Sequence, residues 1–310
     1  MFMKKVLIIG LGIGELYKKV LLESRNGHKY DVITIDPDPN KNADFVSLEA
    51  CYKLHPYFDL AVICCPNQFH ESYVLGLNQN KMAGMILVEK PGLKNFATWA
   101  LYTNAVSPNK LIMVKNNLYR EDLLNQIKKT IKDNITDISE IRIDWLNHNR
   151  VPSPGSWFTN KDLAWGGVSR DLMPHLLSIY YGIFNELDIP FDQVAVSMYT
   201  LDQIKDTEYG AVLNGGVYNV DDTAAIFFKR KVKRKNIPIS LNACWKNETE
   251  TKIGVTIVIN NHPVFYDFGL CPESAYLKMI EQTLKMDEKE YEKHKNIDCW
   301  IHQILDNYGN

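Results

Sequence analysis

Lys90 stands in the string Glu89-Lys90-Pro91, at the end of a short apolar run over residues 85–88. An ammonium held at a strand end in a partly dry cleft loses hydration unless an anionic or polar group meets it, and proline straight after it biases the backbone to an extended form. Far downstream, Asp171 and His175 lie four residues apart, so on a helix they share one face and a single ligand could meet both. Pro174 is tolerated only in a helix's first turn. The helix is therefore expected to begin near Asp171, which can cap it, with His175 one turn inside, where the helix field disfavours a protonated ring. A neutral imidazole can accept a proton, an ammonium can steady a developing oxyanion, and a carboxylate can balance their charge. Each group also has a plain reading: a solvated strand-end lysine, a capping aspartate, a satisfied histidine beside the core.

A second cluster suits binding. Residues 5–9 are an apolar run, followed by Gly10-Leu11-Gly12-Ile13-Gly14-Glu15 and an amphipathic stretch over 16–22. Strand, glycine turn and helix in that order form the context in which a dinucleotide's pyrophosphate sits on the N–H groups of a helix start. The next strand, 30–35, ends at Asp36, where a carboxylate accepts from ribose hydroxyls and repels a 2′-phosphate. That favours NAD over NADP. The usual third glycine position holds Glu15, with Gly14 one place early.

The elements that must position these residues follow from the apolar pattern. Two runs, 60–65 and 85–88, flank an amphipathic segment at 70–80, which reads as strand, helix, strand with the strands parallel. Their carboxyl ends, Cys65-Pro66-Asn67 and Glu89-Lys90, are expected on one crevice. A helix over 95–105, a strand over 110–115 and a helix over 122–131 follow. Beyond them come alternating strands at 138–146, 194–201, 223–228, 239–245, 252–259 and 264–268, read as an antiparallel sheet. A helix over 272–284 and a short one near 297–305 close the chain. The expected fold class is α/β plus α+β: a Rossmann doubly wound parallel sheet domain, residues 1–118, then an open-faced, mainly antiparallel β-sheet domain, residues 119–310.

With 310 residues, 45% of them hydrophobic, the chain can bury a full core. A net charge of -2 gives no general attraction to nucleic acid or acidic lipid. The basic run over 229–235 reads as a solvated hairpin tip. Six cysteines show no CxxC pair and no ligand spacing, so reduced thiols, a cytoplasmic protein and no metal site are expected. The amino-terminal apolar run is too short for a signal peptide, and no run reaches membrane-spanning length.

Four stretches together resemble the Gfo/Idh/MocA group of oxidoreductases over nearly the whole chain. They are the glycine turn, Cys65-Pro66-Asn67-Gln68-Phe69-His70, Glu89-Lys90-Pro91, and Gly166-Gly167 followed by Asp171 and His175. Asp221-Asp222-Thr223 also looks like the start of a strand in that group's second domain. The resemblance implies that Lys90, Asp171 and His175 are catalytic. It also implies that Gly10, Gly12, Ile13, Gly14, Asp36, Cys65, Pro66, Asn67, His70, Glu89 and Lys90 line a nicotinamide cofactor, and that homodimers or homotetramers form through the open sheet face. Asn117, Tyr119 and Trp157, with Arg120 and Asn219 nearby in kind, are candidates to touch a sugar-like substrate. The departures are Glu15, Val168 where a third glycine is common, and Pro174 where glycine is usual. The implied activity is hydride transfer between NAD and a secondary alcohol or ketone of a sugar, cyclitol or sugar derivative. An NAD-dependent glycoside hydrolase and a non-catalytic sugar- or nucleotide-binding regulator are the alternatives.

Overall fold

The structure, a computed structural model, describes residues 3–24, 27–104, 109–148, 150–185, 192–201, 212–213, 215–232 and 235–308. The chain forms two compact units: Met1–Tyr119 with Pro272–Gln303, and Arg120–Cys271 with Ile304–Asn310. Ending the first domain at 118 leaves the carboxyl-terminal segment wholly in the second; in the structure Pro272–Gln303 belongs with the first.

In the first unit, five short apolar runs make a parallel sheet in the order β2-β1-β3-β4-β5. They are β1 (Lys4–Ile9), β2 (Tyr30–Ile35), β3 (Phe58–Ile63), β4 (Ala83–Val88) and β5 (Lys110–Met113). Val6, Leu7, Ile8 and Ile9 are at most 1% exposed, the pattern of a strand covered on both faces. The connections carry α1 (Gly14–Leu22), α2 (Leu48–Leu54), α3 (His70–Gln79) and α4 (Phe96–Tyr102). The strand order reverses between β1 and β3, and in open α/β sheets the crevice beside such a reversal, at the carboxyl ends of the strands, is where ligands bind.

In the second unit, α5 (Glu121–Asp133) leads into β6 (Ile138–His148), then three helices, α6 (Lys161–Ala164), α7 (Val168–Asp171) and α8 (Met173–Phe184). The remaining strands are β7 (Asp192–Leu201), β8 (Thr223–Val232), β9 (Lys235–Asn247), β10 (Lys252–Ile259) and β11 (His262–Asp267). The sheet order is β11-β10-β6-β9-β8-β7. It is antiparallel except that β6 and β9 pair in parallel, because α6 to α8 lie between them in the chain and return it to the same end. Ile237, Ile239, Leu241, Ala243 and Trp245 alternate inward along β9 and form the packed face.

The chain closes with α9 (Glu273–Thr283) and α10 (Glu288–Tyr308). The latter has 21 residues where a short helix was expected over 297–305, since its first turns are nearly all charged and show no apolar stripe. The basic run lies where β8 meets antiparallel β9, with Lys229, Lys231 and Lys235 exposed as read, but one of its residues departs from that reading. Arg230 is only 8% exposed, its Nε donating to Tyr180 Oη at 2.6 Å and its guanidinium lying over the Phe184 ring. Among the described residues no helix is long and apolar enough to cross a membrane, and no cluster of His, Cys, Asp or Glu could hold a metal ion.

Candidate functional site

The glycine turn after β1 is shaped by close approach. Gly10 has φ +91°, and a Cβ there would lie 2.7 Å from the Cys65 backbone, so the turn packs directly on the end of β3. Gly14 takes the packing role of the missing third glycine: a Cβ on it would lie 2.9 Å from Ile8 Cγ2, holding α1 close to its own strand. A Cβ on Gly12 would meet nothing within 4 Å, so that face of the turn is open. Glu15 and Ile13 are exposed.

Asp36, at the end of β2, is 9% exposed; its Oδ2 accepts from Leu11 N at 2.7 Å and its Oδ1 from Asp38 N at 2.9 Å. Those bonds fix the carboxylate against the glycine turn. A carboxylate has about four lone-pair sites, so capacity for ribose hydroxyls remains. An open glycine face beside a helix of nine residues, with a pinned acid at the next strand end, fits a dinucleotide.

Cys65 and Pro66 are half-buried and Asn67 is 7% exposed, in the turn before α3. Burial pushes the Cys65 thiol up to about 12, so it is not a nucleophile at neutral pH. His70 is fully buried and brackets the two strand ends: Nδ1 lies 2.7 Å from Gly92 O and Nε2 2.9 Å from Cys65 O. Two carbonyl acceptors favour a doubly protonated ring, but complete burial outweighs them and lowers its pKa.

Lys90 is half-buried at the end of β4, before a cis peptide bond to Pro91. Glu89 turns inward, its Oε1 accepting from Tyr17 Oη at 2.6 Å and its Oε2 from Lys90 N at 3.1 Å. Burial and the Glu89 charge raise the Tyr17 pKa well above its ordinary value, so the hydroxyl stays protonated and keeps donating. Asn117 and Tyr119 are 2% and 7% exposed in the turn after β5, with Asn117 Nδ2 buried and without a partner among the described residues.

In the second unit Asp171 ends α7, and α8 begins two residues later with Leu172 as its cap and Pro174 in its first turn. Asp171 is therefore not the N-cap expected from its spacing, and His175 sits within the first turn rather than one turn inside. The interruption between α7 and α8 at Leu172 puts Pro174 in a first turn, where its missing N–H has no intrahelical partner to lose. Instead Asp171 Oδ2 accepts from Trp245 Nε1 at 3.0 Å. His175, 9% exposed, stacks on Trp145 with ring centroids 4.9 Å apart and planes 24° from parallel.

The Gly166-Gly167 pair has a structural reason. Asp221 accepts from Gly167 N at 2.9 Å, Ser169 N at 2.7 Å and Ser169 Oγ at 2.9 Å. A Cβ on Gly167 would lie 1.8 Å from Asp221 O, and Val168, fully buried, donates its N–H to that same oxygen.

Asp171 also lines a cavity of about 490 Å³, together with Asn147, Arg150, Ser156, Phe158 and Trp245 among others. Trp157 stacks on Phe158 at 3.8 Å, beside this wall, while Asn219 Oδ1 accepts from Lys161 N and supports α6. The register of β6 against β9 shifts at Asn147, where β9 carries one extra residue; such bulges re-aim side chains. Sequence reasoning did not single out Asn147, Arg150, Ser156 or Trp245. The polar string 147–150 between an apolar strand and Pro152 is the one signal that pointed there.

No family model matches the chain. A protein of Amycolatopsis mediterranei (strain S699), provisionally named UDP-kanosamine synthase oxidoreductase subunit, is 25% identical over 203 residues, 64% of this chain and 54% of that protein. The match thus spans about half that relative's length. Among solved structures, GenD2 from gentamicin A biosynthesis in complex with NAD has a TM-score of 0.75 at 15% identity, covering 100% of this chain and 94% of that one. Levoglucosan dehydrogenase with NADH and levoglucosan gives 0.68 at 15%, covering 98% and 96%. WlbA of Bordetella pertussis with NADH and UDP-GlcNAcA gives 0.68 at 15%, covering 99% and 95%. The fold is therefore one shared with nicotinamide-bound proteins: a Rossmann sheet unit with a second, mainly antiparallel sheet unit.

Proposed function

We propose that the protein is an oxidoreductase that moves hydride between NAD and a secondary alcohol or ketone of a sugar, cyclitol or sugar derivative. The observation that carries this reading is the open Gly12 face beside the pinned Asp36 carboxylate, at the strand-order reversal of the first sheet. Asp36 would accept from the ribose hydroxyls and disfavour a 2′-phosphate. Levoglucosan dehydrogenase in complex with NADH and levoglucosan, WlbA in complex with NADH and UDP-GlcNAcA, and GenD2 in complex with NAD support the same reading.

Bound NAD would supply the hydride acceptor; the chain's own residues must orient the substrate and handle one proton. His175 is assigned as the acceptor of the hydroxyl proton, its ring plane set by Trp145. Lys90 is assigned as the cation that steadies the developing alkoxide. Asp171, anchored by Trp245, balances charge. Glu89 and His70 act as positioning residues, because their polar atoms are engaged with Tyr17, the Lys90 backbone and two loop carbonyls. Cys65, Pro66, Asn67, Ile13 and Gly14 are assigned to the walls of the cofactor crevice. Asn117, Tyr119 and Trp157 stay candidates for substrate contact. We also assign the protein to homodimers or homotetramers built through the open face of the second sheet.

The test is Lys90→Ala. It should leave the NAD dissociation constant within about threefold and lower turnover by about 10²–10³, the scale of losing one electrostatic donor. Retention of most activity would remove Lys90 from the mechanism. Absence of any NADH absorbance with every sugar tried, despite NAD binding, would favour a hydrolase or a regulator.

A further inference from the structure

We propose that the cavity of the second unit takes a sugar bearing an anionic substituent, a carboxylate or a phosphate, and that Arg150 reads that charge. The inference rests on the reading above for the identity of the ring, and on this cavity for the charge.

Arg150 lines the cavity and is exposed, and its guanidinium forms no ion pair among the described residues. Its backbone is fixed, the N–H donating to Trp245 O at 3.1 Å. The acid on the same wall, Asp171, is already engaged by Trp245 Nε1. One wall thus carries a tethered carboxylate and an uncommitted guanidinium, whose planar fork of donors suits bidentate recognition of a carboxylate or phosphate. An anion is repelled by Asp171 and drawn to Arg150, which fixes the direction in which a ring enters.

Two further groups are built for hydroxyls. Asn147 is 7% exposed with its Oδ1 buried and without a hydrogen-bond partner among the described residues, and the same holds for the buried Ser156 Oγ. Buried polar atoms left without a hydrogen bond cost stability, and a ligand hydroxyl would remove that cost. Phe158 and Trp245 offer apolar faces for the C–H side of a ring. The wall is rigid before any ligand arrives: Thr159 Oγ1 accepts from Gly155 N at 3.0 Å and donates to Val217 O at 2.7 Å, and Leu213 N donates to Pro154 O at 2.7 Å.

Isothermal titration of the full chain, with and without NAD, against glucose, glucuronate and glucose 1-phosphate tests this. At least one anionic sugar should bind about tenfold or more tightly than glucose, as expected for a charge-assisted bidentate pair, and the better of the two identifies the substituent. In Arg150→Gln that advantage should collapse, while the thermal midpoint stays unchanged because the side chain is exposed. Equal binding of glucose, survival of the advantage in Arg150→Gln, or no binding of either anion at millimolar concentration would overturn the inference. Absorbance of NADH in the same samples separates the two readings: Arg150-dependent binding without NADH defeats the oxidoreductase reading and leaves this one standing, whereas NADH formed equally from glucose does the reverse.

Discussion

At Gly10 a single hydrogen atom in place of a side chain decides whether β1 and β3 can end side by side. Ala there would meet both a φ of +91° and a backbone 2.7 Å away. Gly10→Ala should therefore cost about 2 kcal/mol or more in urea unfolding, since the left-handed conformation alone costs about 1–3 kcal/mol, and should weaken NAD binding as the turn shifts. The same change at Gly12, where a Cβ would meet nothing within 4 Å, is the control for the stability loss alone, because that open face is the one assigned to the dinucleotide. Much at this scale was legible. The glycine turn, Asp36 and Glu89-Lys90-Pro91 are local strings whose meaning depends on what precedes and follows them by a few residues. What could not be read is which way a polar side chain faces: Glu89 and His70 belong to the right loops but turn inward.

His294 and Asp298, one turn apart on α10, titrate in opposite senses. Burial, with Lys115 and Lys293 adding to it, lowers the His294 pKa to about 3, although Glu290 lies 3.5 Å from its Nε2. An unfolded histidine binds its proton near 6.5, so this group makes stability fall as pH drops from there toward 3. Asp298 is raised to about 6 by burial, against the pull of the Lys115 ammonium, so between about 4 and 6 its folded form holds the proton and stability rises as pH drops. The two slopes offset. His294→Asn should leave Asp298 unopposed, so that relative to the parent the variant gains stability on going from about pH 6 to pH 4.5, by up to about 1.4 kcal/mol per pH unit. Denaturant melts at the two pH values check the sign.

Among the connecting elements, the start of α7 hangs on one side chain. Asp221→Ala removes three acceptor bonds from the Gly166-Gly167 turn, and with the carboxylate half-buried the expected loss is about 2 kcal/mol. A thermal melt would show it, and the stacking of His175 on Trp145 should loosen with it. The strands of the first unit were legible because they are short apolar runs, and in β1 to β4 glycine or proline follows within three residues. Helix α2 was not, although Ser47 caps it by accepting from Ala50 N at 3.2 Å, because only Cys51 of its seven residues is buried and no apolar stripe forms. The parallel pairing of β6 and β9 was hidden too: alternation along a strand says which residues face inward, not which neighbour the strand takes. The cavity, whose wall draws on residues from 147 to 245, is a product of that pairing.

For the whole molecule, the open face of the second sheet carries a cross-strand row of Phe227, Ser240, Arg142, Thr256 and Phe265. The two phenylalanines at its ends are 42% and 45% exposed. If this face joins subunits, Phe227→Glu with Phe265→Glu should convert the oligomer to a monomer in light scattering without changing the secondary-structure content. An unchanged mass, or a parent that is already monomeric, would retire the assembly.

The chain also returns late to the unit it began. Lys115, 1% exposed, donates to Met113 O and pairs with Asp298, whose Oδ2 accepts from Met113 N at 2.9 Å. His302 stacks on Trp99 with centroids 4.5 Å apart, and its Nε2 accepts from Leu93 N at 3.3 Å. A nascent polypeptide that has just left the ribosome as far as Cys271 would thus hold an ammonium against a half-built hydrocarbon layer with its counter-ion still unsynthesised. The first unit, begun earliest, cannot close its core until residues 272–303 have been made, and premature termination between residues 271 and 298 should deprive it of the NAD affinity proposed for it.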